Sequence, residues 1–373
     1  MKPTILALYL PQYYPFKEND EWWGKGFTEW TNVGKAKPLF RGHYQPRVPA
    51  DLGYYDLRVP EVREQQAELA REAGVTGFLY WHYWFGNGKR LLSRVFDEVL
   101  ESGKPDFPFA LAWANHSWAA KSWDKSGSDK LLMKQTYPGE EDARKHFELL
   151  LKAFKDPRYI KIDGCPFLFI FRPHDVPTEY INWFRGWTKE AGFKDLYLVA
   201  NPIEAKPFEY YQRLGFQAIV RNNLLDMLQT RYALMPKWKE VMMRTFRHLD
   251  QYLTGKPHGA MNYADFVHDV VTEDCKDVHI IPQIFPNWDH SPRSGKDANA
   301  IYYNAQPKYF YEMAKDALKA IKDKPSEEQI IVIKSWNEWG EGNYMEPDQQ
   351  YGRGYIEALR KAVDEYINDD TRK

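Results

Sequence analysis

Two glutamates three residues apart follow an apolar segment near the end of the chain. The segment reads IIVIKSWNEWGEG over residues 330–342, so Glu338 and Glu341 lie among tryptophans, an asparagine and two glycines. Paired carboxylates can cleave a glycosidic bond, because a protonated carboxyl assists the leaving oxygen while an ionised one acts as base or nucleophile. Repulsion between close like charges raises the pKa of one of them, which separates the two roles. We therefore predict Glu338 and Glu341 as catalytic residues; the alternative is that one caps a turn and the other is solvated.

The elements that would position this pair are visible as a repeating pattern. Short apolar segments without alternation predict strands buried on both faces, and they span residues 4–10, 75–81, 108–113, 166–171, 196–200, 216–220, 278–285 and 330–335. Amphipathic helical patterns lie between them, at 60–74, 139–156, 177–192, 306–324 and 354–367. Such β-then-α units predict a (β/α)8 TIM-like barrel with enlarged βα loops, as a single domain over residues 1–373. A doubly wound sheet is the alternative, but it would need a glycine-rich loop where this chain has LPQYYP.

Polar and aromatic residues cluster at the C-terminal ends of the predicted strands, which in a barrel share one face and form the active site. Aromatic rings offer stacking area to flat, partly apolar faces that carry hydroxyls, and Phe, Trp and Tyr make up 16% of the chain. The alternative is a core rich in large side chains. We predict a cup that binds an oligosaccharide or polysaccharide, formed by Tyr9, Gln12, Trp30, His82, Trp84, Asn115, His116, Trp118, Arg172, Arg221, Asn222, Trp288, Asp289, Trp336, Asn337 and Trp339.

A long insertion at residues 222–262 precedes the seventh predicted strand. Its segment MPKWKEVMMRTFRHLDQYL, residues 235–253, has apolar residues at helical spacing. We predict a helical lid over the barrel mouth; the alternative is a helix packed on the side of the barrel.

Composition excludes several other classes of function. The net charge is −1, from 51 basic and 52 acidic residues, so neither nucleic acid nor an anionic membrane surface is an expected partner. No apolar stretch approaches the ~20 residues of a membrane span. The two cysteines and the histidines lack metal-ligand spacing, so we expect no metal and no cofactor. The opening MKPTILALYLPQYY predicts a first strand better than a signal peptide, which favours a cytoplasmic protein or one trimmed of a leader.

Several long motifs resemble the WbsX-like family. They are YLPQYYPFKENDEWWGKGFTEW, GFLYWHYWFGNGKRLL, PDFPFALAWAN, DPRYIKIDGCPFLFIFRP and WNEWGEGNYMEPD, and they extend over nearly the whole chain. That family is labelled as glycosyltransferases of polysaccharide biosynthesis. It is related to family 99 of the glycoside hydrolases, the endo-acting α-mannosidases and α-mannanases.

The resemblance implies roles for individual residues. Glu338 would take the proton from the sugar's own 2-hydroxyl, so that the 2-oxygen attacks C1 and forms an anhydro sugar. Glu341 would be the acid for the leaving group and then the base for water. Asp289 and Tyr9 are weaker correspondences. The chain reads WANH where similar sequences commonly read WANE, so His116 replaces a carboxylate in the predicted cup.

Three functions follow as hypotheses. The first is a retaining glycoside hydrolase that acts on an α-linked glycan through participation of the 2-hydroxyl. The second is a glycosyltransferase of polysaccharide biosynthesis, although neither two Rossmann-like halves nor a diphosphate site is visible in the sequence. The third is a non-catalytic carbohydrate-binding barrel, which the presence of both glutamates disfavours.

Overall fold

The computed structural model describes residues 2–120, 130–202, 206–221 and 236–371. Parallel strands form a closed barrel, and each strand overlaps one of the apolar segments predicted from the sequence. They are β1 (Thr4–Tyr9), β2 (Gly77–Trp84), β3 (Phe109–Trp113), β4 (Cys165–Ile170), β5 (Tyr197–Ala200), β6 (Ala218–Arg221), β7 (Ile280–Ile284) and β8 (Ile330–Ile333).

The barrel closes because β1 pairs with both β2 and β8. Ile5 lies opposite Ile331 in one pairing, and Leu6 lies opposite Gly77 in the other. Every residue of β2 and β3 is buried, since side chains fill the barrel interior and helices cover its outside. Burial on both faces explains the unbroken apolar sequences, and the predicted (β/α)8 fold is confirmed.

Helices surround the barrel. Those of the described residues are α1 (Lys17–Trp23), α2 (Glu29–Lys35), α3 (Pro60–Ala73), α4 (Arg94–Ser102), α5 (Glu140–Phe154), α6 (Thr178–Glu190), α7 (Phe208–Arg213), α8 (Lys237–Thr254), α9 (Ser291–Ser294), α10 (Pro307–Ile321) and α11 (Gly354–Thr371). Helix α3 begins with its proline and ends before Gly74, whose φ of 91° closes the helix in the left-handed region.

Short strands and 3-10 turns lie in the loops between the main strands and helices. Two-to-three-residue strands lie at Arg90–Leu91, Trp118–Ala119, Leu131–Met133, Lys161–Ile162, Ala260–Asn262, Ile301–Tyr303, Asn337–Glu338 and Asn343–Tyr344. Single 3-10 turns lie at Pro173–Asp175, Tyr263–Asp265, Val267–Asp269, Glu273–Lys276, Gly295–Asp297, Ser326–Glu328 and Trp339–Glu341.

The insertion between β6 and β7 contains helix α8, as its periodicity predicts. Residues 222–235 of the predicted lid lie outside the described residues. Several apolar side chains of α8 point to solvent, among them Trp238, which is 68% exposed, and Phe246, which is 63% exposed. In the part of the chain that the structure describes, no helix is long and apolar enough to cross a membrane.

Candidate active site

The segment after β8 folds back on itself and places both glutamates at the barrel mouth. The short strand Asn337–Glu338 pairs antiparallel with Asn343–Tyr344, and the 3-10 turn Trp339–Glu341 joins them. Ser335 fixes the entry to this turn, because its hydroxyl accepts a hydrogen bond from the Glu338 N–H at 3.0 Å. The two carboxylates therefore belong to one tightly bonded turn at the C-terminal end of the last strand.

Asn337 attaches the turn to the first strand. Its Oδ1 accepts from the Leu10 N–H at 2.7 Å, and its Nδ2 donates to the Leu10 carbonyl at 3.0 Å. The Asn337 side chain thus forms the two hydrogen bonds to the Leu10 backbone that the backbone of a neighbouring strand would otherwise form. Asn337, predicted to bind substrate, is used for positioning the neighbouring Glu338.

Two glycines permit the turn to sit against its neighbours. A Cβ on Gly340 would lie 1.6 Å from Glu29 Oε2, so only glycine fits there. Gly342 has a φ of +54°, and a Cβ there would lie 2.8 Å from the Cβ of Asp289. Both glycines lie beside residues that organise the site.

A cavity of about 170 Å³ opens beside the carboxylates. Its walls combine aromatic and aliphatic side chains with charged groups: Leu10, Trp81, Tyr83, Ala114, His116, Trp118, Phe171, Arg293, Lys334, Glu338 and Glu341. Aromatic walls with a few polar groups at one end are typical of small-molecule binding sites.

Basic side chains surround Glu341. Its Oε1 lies 2.5 Å from Arg293 Nη1, and its Oε2 lies 3.1 Å from His290 Nε2 and 3.5 Å from Lys334 Nζ. Glu338 has weaker partners, with Lys334 Nζ at 3.5 Å and Arg293 Nη2 at 4.0 Å. Because the same ammonium touches both carboxylates, their Oε2 atoms lie within about 7 Å of each other.

The environment drives the two pKa values in opposite directions. Burial raises the pKa of Glu338, and the nearby charge of Glu341 raises it further, against the opposing effect of Lys334 and Arg293. Burial would also raise the pKa of Glu341, but His290, Lys334 and Arg293 together hold that pKa well below its usual value. One protonated and one ionised carboxyl is the combination that glycosidic cleavage requires.

Arg293 is itself held by a third buried carboxylate. Glu29, on α2, lies 3.0 Å from Arg293 Nη2 and accepts a hydrogen bond from its Nε at 3.2 Å. Burial raises the pKa of Glu29, while Arg293 lowers it. Lys334 is supported from the other side by Trp288, since its Nζ lies 4.8 Å from that ring.

Strand β2 turns different residues to the cavity than the sequence led us to predict. Trp81 and Tyr83 line the cavity, whereas His82 and Trp84 point outwards to helix α5. Successive side chains of a strand face opposite sides of the sheet. The predicted residues are shifted by one position from those that line the cavity, so they lie on the outer face of the barrel. His82 Nε2 lies 2.9 Å from His146 Nε2, and Trp84 Nε1 donates to Asp142 at 3.0 Å.

Asp289 also lies away from the cavity. Its Oδ2 lies 2.7 Å from both His43 Nε2 and Gln45 Nε2, and its Oδ1 accepts from the Ser291 N–H at 2.9 Å. Burial opposes ionisation, but His43 and Arg47 lower the pKa of Asp289 to about 2. Its backbone N–H donates to the Glu341 carbonyl at 2.6 Å, so Asp289 positions the turn that carries Glu341.

The remaining predicted cup residues divide between the cavity wall and the surrounding structure. Of the described ones, His116 and Trp118 line the cavity. Burial and the nearby Arg172 lower the pKa of His116 to about 4. The others do not line the cavity and are held by the surrounding structure. Four of them form hydrogen bonds: Tyr9 donates to Gln66, Trp30 donates to the Tyr55 carbonyl, Asn115 bonds the backbone of Arg172, and Trp339 donates to Glu346. Gln12 is fully buried, Arg221 pairs with Asp274, and Trp336 packs on Phe78. Asn222 lies outside the described residues.

Glu346 is a further buried carboxyl, placed behind the turn. It accepts from Trp339 Nε1 and Gln66 Nε2, both at 2.6 Å, and from the Tyr55 hydroxyl at 2.9 Å. Burial raises the pKa of Glu346 to about 7, although these donors lower it. Glu346 is not among the residues that line the cavity, so we assign it to the support of Trp339.

Four residues that define the electrostatics of the site, Lys334, Arg293, His290 and Glu29, were not among the predicted site residues. A lysine at the end of an apolar strand was a usable signal for Lys334, because a charge there must be paired. Arg293 and Glu29 gave no comparable signal, since their place in the site depends on loops distant in sequence, whereas His290 directly follows the predicted Asp289 at the end of the seventh strand.

The fold and the site together define the class of protein: a (β/α)8 barrel with a paired-carboxylate cavity at its C-terminal mouth. The chain belongs to the family described as "Glycosyltransferase WbsX", whose model matches residues 5–359. It is 33% identical over 366 residues to "Uncharacterized protein WxcX" of Xanthomonas campestris pv. campestris, which it matches over 96% of its own length. The chain spans about half of this relative, 49% of its length, and the same share of the protein of that name from a second strain.

Solved structures share the fold at low sequence identity. A "Glycoside hydrolase-like protein" is 14% identical with a TM-score of 0.59, over 97% of this chain and 94% of that one. The GH99 endo-alpha-mannosidase from Bacteroides thetaiotaomicron, in complex with BIS-TRIS-propane, is also 14% identical with a TM-score of 0.59, over 99% of both chains. A second structure of that enzyme is 15% identical with a TM-score of 0.54, over 98% of this chain and 97% of that one.

Proposed function

We propose that this protein is a glycoside hydrolase that acts on an α-linked glycan. The observation that carries the proposal is the pair of buried carboxylates with opposite pKa shifts beside one aromatic-walled cavity. Perturbed carboxyls occur in structural ion-pair networks as well, but here both line an open cavity. The fold likeness to glycoside hydrolases supports the proposal without deciding it.

The proposed reaction proceeds with retention through an anhydro sugar. One carboxylate takes the proton of the sugar's 2-hydroxyl as the 2-oxygen attacks C1, and the other carboxyl protonates the leaving oxygen. Water then opens the anhydro sugar from the face that the leaving group vacated. Two inversions at C1 restore the original configuration. Trp81, Tyr83 and Trp118 offer ring faces for the sugar beside this pair.

The experiment is a hydrolysis screen with a stereochemical readout. The purified protein is incubated with α-linked oligosaccharides, mannosides included, and the first-formed anomer is identified by proton NMR. We expect release of the α-anomer, no release by a Glu338→Gln/Glu341→Gln double variant, and failure of the matching 2-deoxy glycan. No release from any glycan of a broad panel would reject the hydrolase. Efficient cleavage of the 2-deoxy glycan would reject participation and leave hydrolysis standing.

A glycosyltransferase is the second candidate, because the family description names that activity. A nucleotide-sugar donor carries a diphosphate, which requires cations that are available to it. In this cavity Arg293 and Lys334 already lie against carboxylates. Release of nucleoside diphosphate from a nucleotide sugar in the presence of an acceptor glycan would favour the transferase. Tight glycan binding with no turnover of either kind would instead favour a non-catalytic binding barrel.

A further inference from the structure

The cavity wall has a second polar part, which is formed by the loops after β3 and β4. His116 and Phe171 both line the cavity, and their ring centroids lie 5.0 Å apart. Asn115 joins the two loops, because its Nδ2 donates to the Arg172 carbonyl and its Oδ1 accepts from the Arg172 N–H, both at 2.8 Å. Arg172 is therefore fixed directly beside one cavity-lining residue from each loop.

Arg172 has a half-buried side chain whose charge is not neutralised by the protein. In the described chain no carboxylate forms an ion pair with it, and its buried Nε has no hydrogen-bond partner. Arg185, in the same βα unit, shows the usual arrangement, since its guanidinium pairs with Asp195 at 2.6 Å. Because a buried charge without a partner is costly, the free guanidinium beside the cavity indicates a place for an anion.

Two further polar groups lie next to this guanidinium. His116 Nδ1 is buried and has no hydrogen-bond partner among the described residues. The Tyr137 hydroxyl accepts from Asn115 Nδ2 at 2.9 Å, so its own proton is available to donate. Burial and the charge of Arg172 lower the pKa of His116 to about 4, so this ring is neutral at physiological pH. Burial raises the pKa of Tyr137 while Arg172 opposes this effect, so the guanidinium charge acts on both rings.

An anion fits this arrangement better than a sugar hydroxyl does. The guanidinium presents five N–H donors in one plane and has no acceptor, a geometry that matches the two oxygens of a carboxylate. A hydroxyl would accept one of these hydrogen bonds but would leave the charge of Arg172 without a counter-charge. Neither Glu338 nor Glu341 is among the charges that shift the pKa of His116, so an anion beside His116 would lie apart from that pair.

We propose that Arg172, together with His116 and Tyr137, binds an anionic group of the glycan, so that the substrate contains an acidic sugar. The proposal rests on the proposed function and names the class of substrate within it. A uronic acid supplies a planar carboxylate, and sugar sulfates and sugar phosphates supply anionic oxygens of the same kind. The experiments below distinguish these three sources.

The first test measures binding and needs no turnover. Isothermal titration compares methyl α-hexosides of the gluco, galacto and manno series that differ only at C6: the neutral alcohol, the uronate, the 6-sulfate and the 6-phosphate. We expect one anionic form to bind roughly 10–100-fold more tightly than its neutral partner, the effect of a charge-assisted hydrogen bond or two. The form that binds most tightly identifies the anionic group. No anionic form binding better than its neutral partner in any series would overturn the proposal.

Arg172→Gln tests the cation itself. This variant should bind the anionic and the neutral hexoside about equally, whereas the matched control Arg185→Gln should keep the full preference, because its guanidinium is held by Asp195 and does not line the cavity. Since the Arg172 guanidinium has no partner among the described residues, the melting temperature of Arg172→Gln should lie within a few degrees of the wild type. A much lower melting temperature would show that the side chain is structural and would overturn the proposal.

An isosteric pair of variants at His116 tests the charge of the site in a second way. His116→Glu places a carboxylate next to Arg172, so it should compete with the ligand and abolish the preference for the anionic hexoside. His116→Gln has the same shape without the charge and should keep that preference within a few-fold. Equal binding profiles of the two variants would contradict an anion site, whatever the stability of Arg172→Gln.

The outcomes for the ligand and for the reaction are separable. If the protein prefers the anionic hexosides but hydrolyses no glycan, the proposed function is rejected and the acidic-sugar site stands. If it hydrolyses neutral α-glycans and shows no preference for anionic ones, the hydrolase stands and this inference is rejected. If it hydrolyses an acidic glycan, we expect Arg172→Gln to raise KM by roughly 10-fold or more with a smaller change in kcat.

Discussion

Two regions of the barrel bury pairs of ionisable side chains, and only one of them has the properties of a catalytic site. Behind β2, His82 and His146 lie 2.9 Å apart, and the Trp84 ring stacks on His146 with 4.7 Å between centroids. Burial lowers the pKa of His82 to about 3 and that of His146 well below its usual value, so both rings are neutral. At the mouth, Glu338 and Glu341 have pKa values shifted in opposite directions.

The glutamate pair and the histidine pair differ in their protonation states and in their access to a cavity. The histidine pair has the same protonation state on both members, is sealed by aromatic rings and does not line the described cavity. The glutamate pair has pKa values shifted in opposite directions and lines a cavity. Burial perturbs the pKa values in both regions, so a perturbed pKa alone does not identify an active site.

The largest expected effect is the loss of turnover in Glu338→Gln. Because the proposed mechanism needs both carboxyl groups, the rate on a glycan with a poor leaving group should fall by roughly 10²–10⁴, with little change in the free energy of unfolding. Steady-state kinetics and urea denaturation of the same preparation measure the two quantities. If this variant unfolded under assay conditions, its loss of activity would be structural, and the glutamate pair would no longer differ from the histidine pair.

His146→Ala should show the opposite behaviour. The ring is fully buried against Trp84, Trp113 and Phe184, so its removal leaves a cavity that costs about 2–4 kcal/mol of unfolding free energy. Activity per folded molecule should stay within a few-fold of the wild type. His146→Phe, which keeps a ring in the same place, is the control and should recover part of the stability. A catalytic defect in folded His146→Ala would count against a purely structural pair.

Glu346 offers an intermediate case, since it is a buried carboxyl behind the site. Its folded-state pKa of about 7 lies above that of an unfolded glutamate, so the folded state binds more protons at intermediate pH. Stability should therefore fall by about 3–4 kcal/mol as the pH rises from about 4 to above 7. Glu346→Gln cannot titrate and should flatten this dependence. Urea midpoints of both proteins at several pH values measure it, and parallel curves would contradict the assignment.

The smallest expected effect concerns the packing of the catalytic turn. In Gly340→Ala, the new methyl group would displace the Glu29 carboxylate from Arg293, at a cost of about 1–2 kcal/mol in unfolding free energy. Gly34→Ala on the same helix as Glu29 is the control, because a Cβ there meets nothing within 4 Å. It should be neutral or stabilising, as alanine is favoured in helices. Equal losses in the two variants would show that the Gly340 contact is unimportant.

The barrel could be predicted from the sequence because strands buried on both faces have a simple signature. The same signature concealed which side of β2 faces inwards: GFLYWHYW is apolar or aromatic throughout, so nothing in it distinguishes Trp81 from His82. The position of Glu338 and Glu341 at the barrel mouth could be predicted because both members of the pair share one turn after β8. Arg293 and Glu29 could not, since they meet Glu341 only after loops far apart in sequence have packed together.

Closure of the barrel has a consequence for how the protein is made. Strand β1 pairs with β8, where Thr4 lies opposite Ile330, and Asn337, next to Glu338, is hydrogen-bonded to Leu10. At translation rates of about 5–20 residues per second, the first strand waits on the order of tens of seconds for its last partner. Until β8 is made, the edges of β1 and β7 with which it will pair are unpaired and prone to association with other chains. Ribosome-associated chaperones are thus expected to matter more for this chain than for an open sheet, and a chain interrupted before β8 would lack both barrel closure and the Glu338–Glu341 pair.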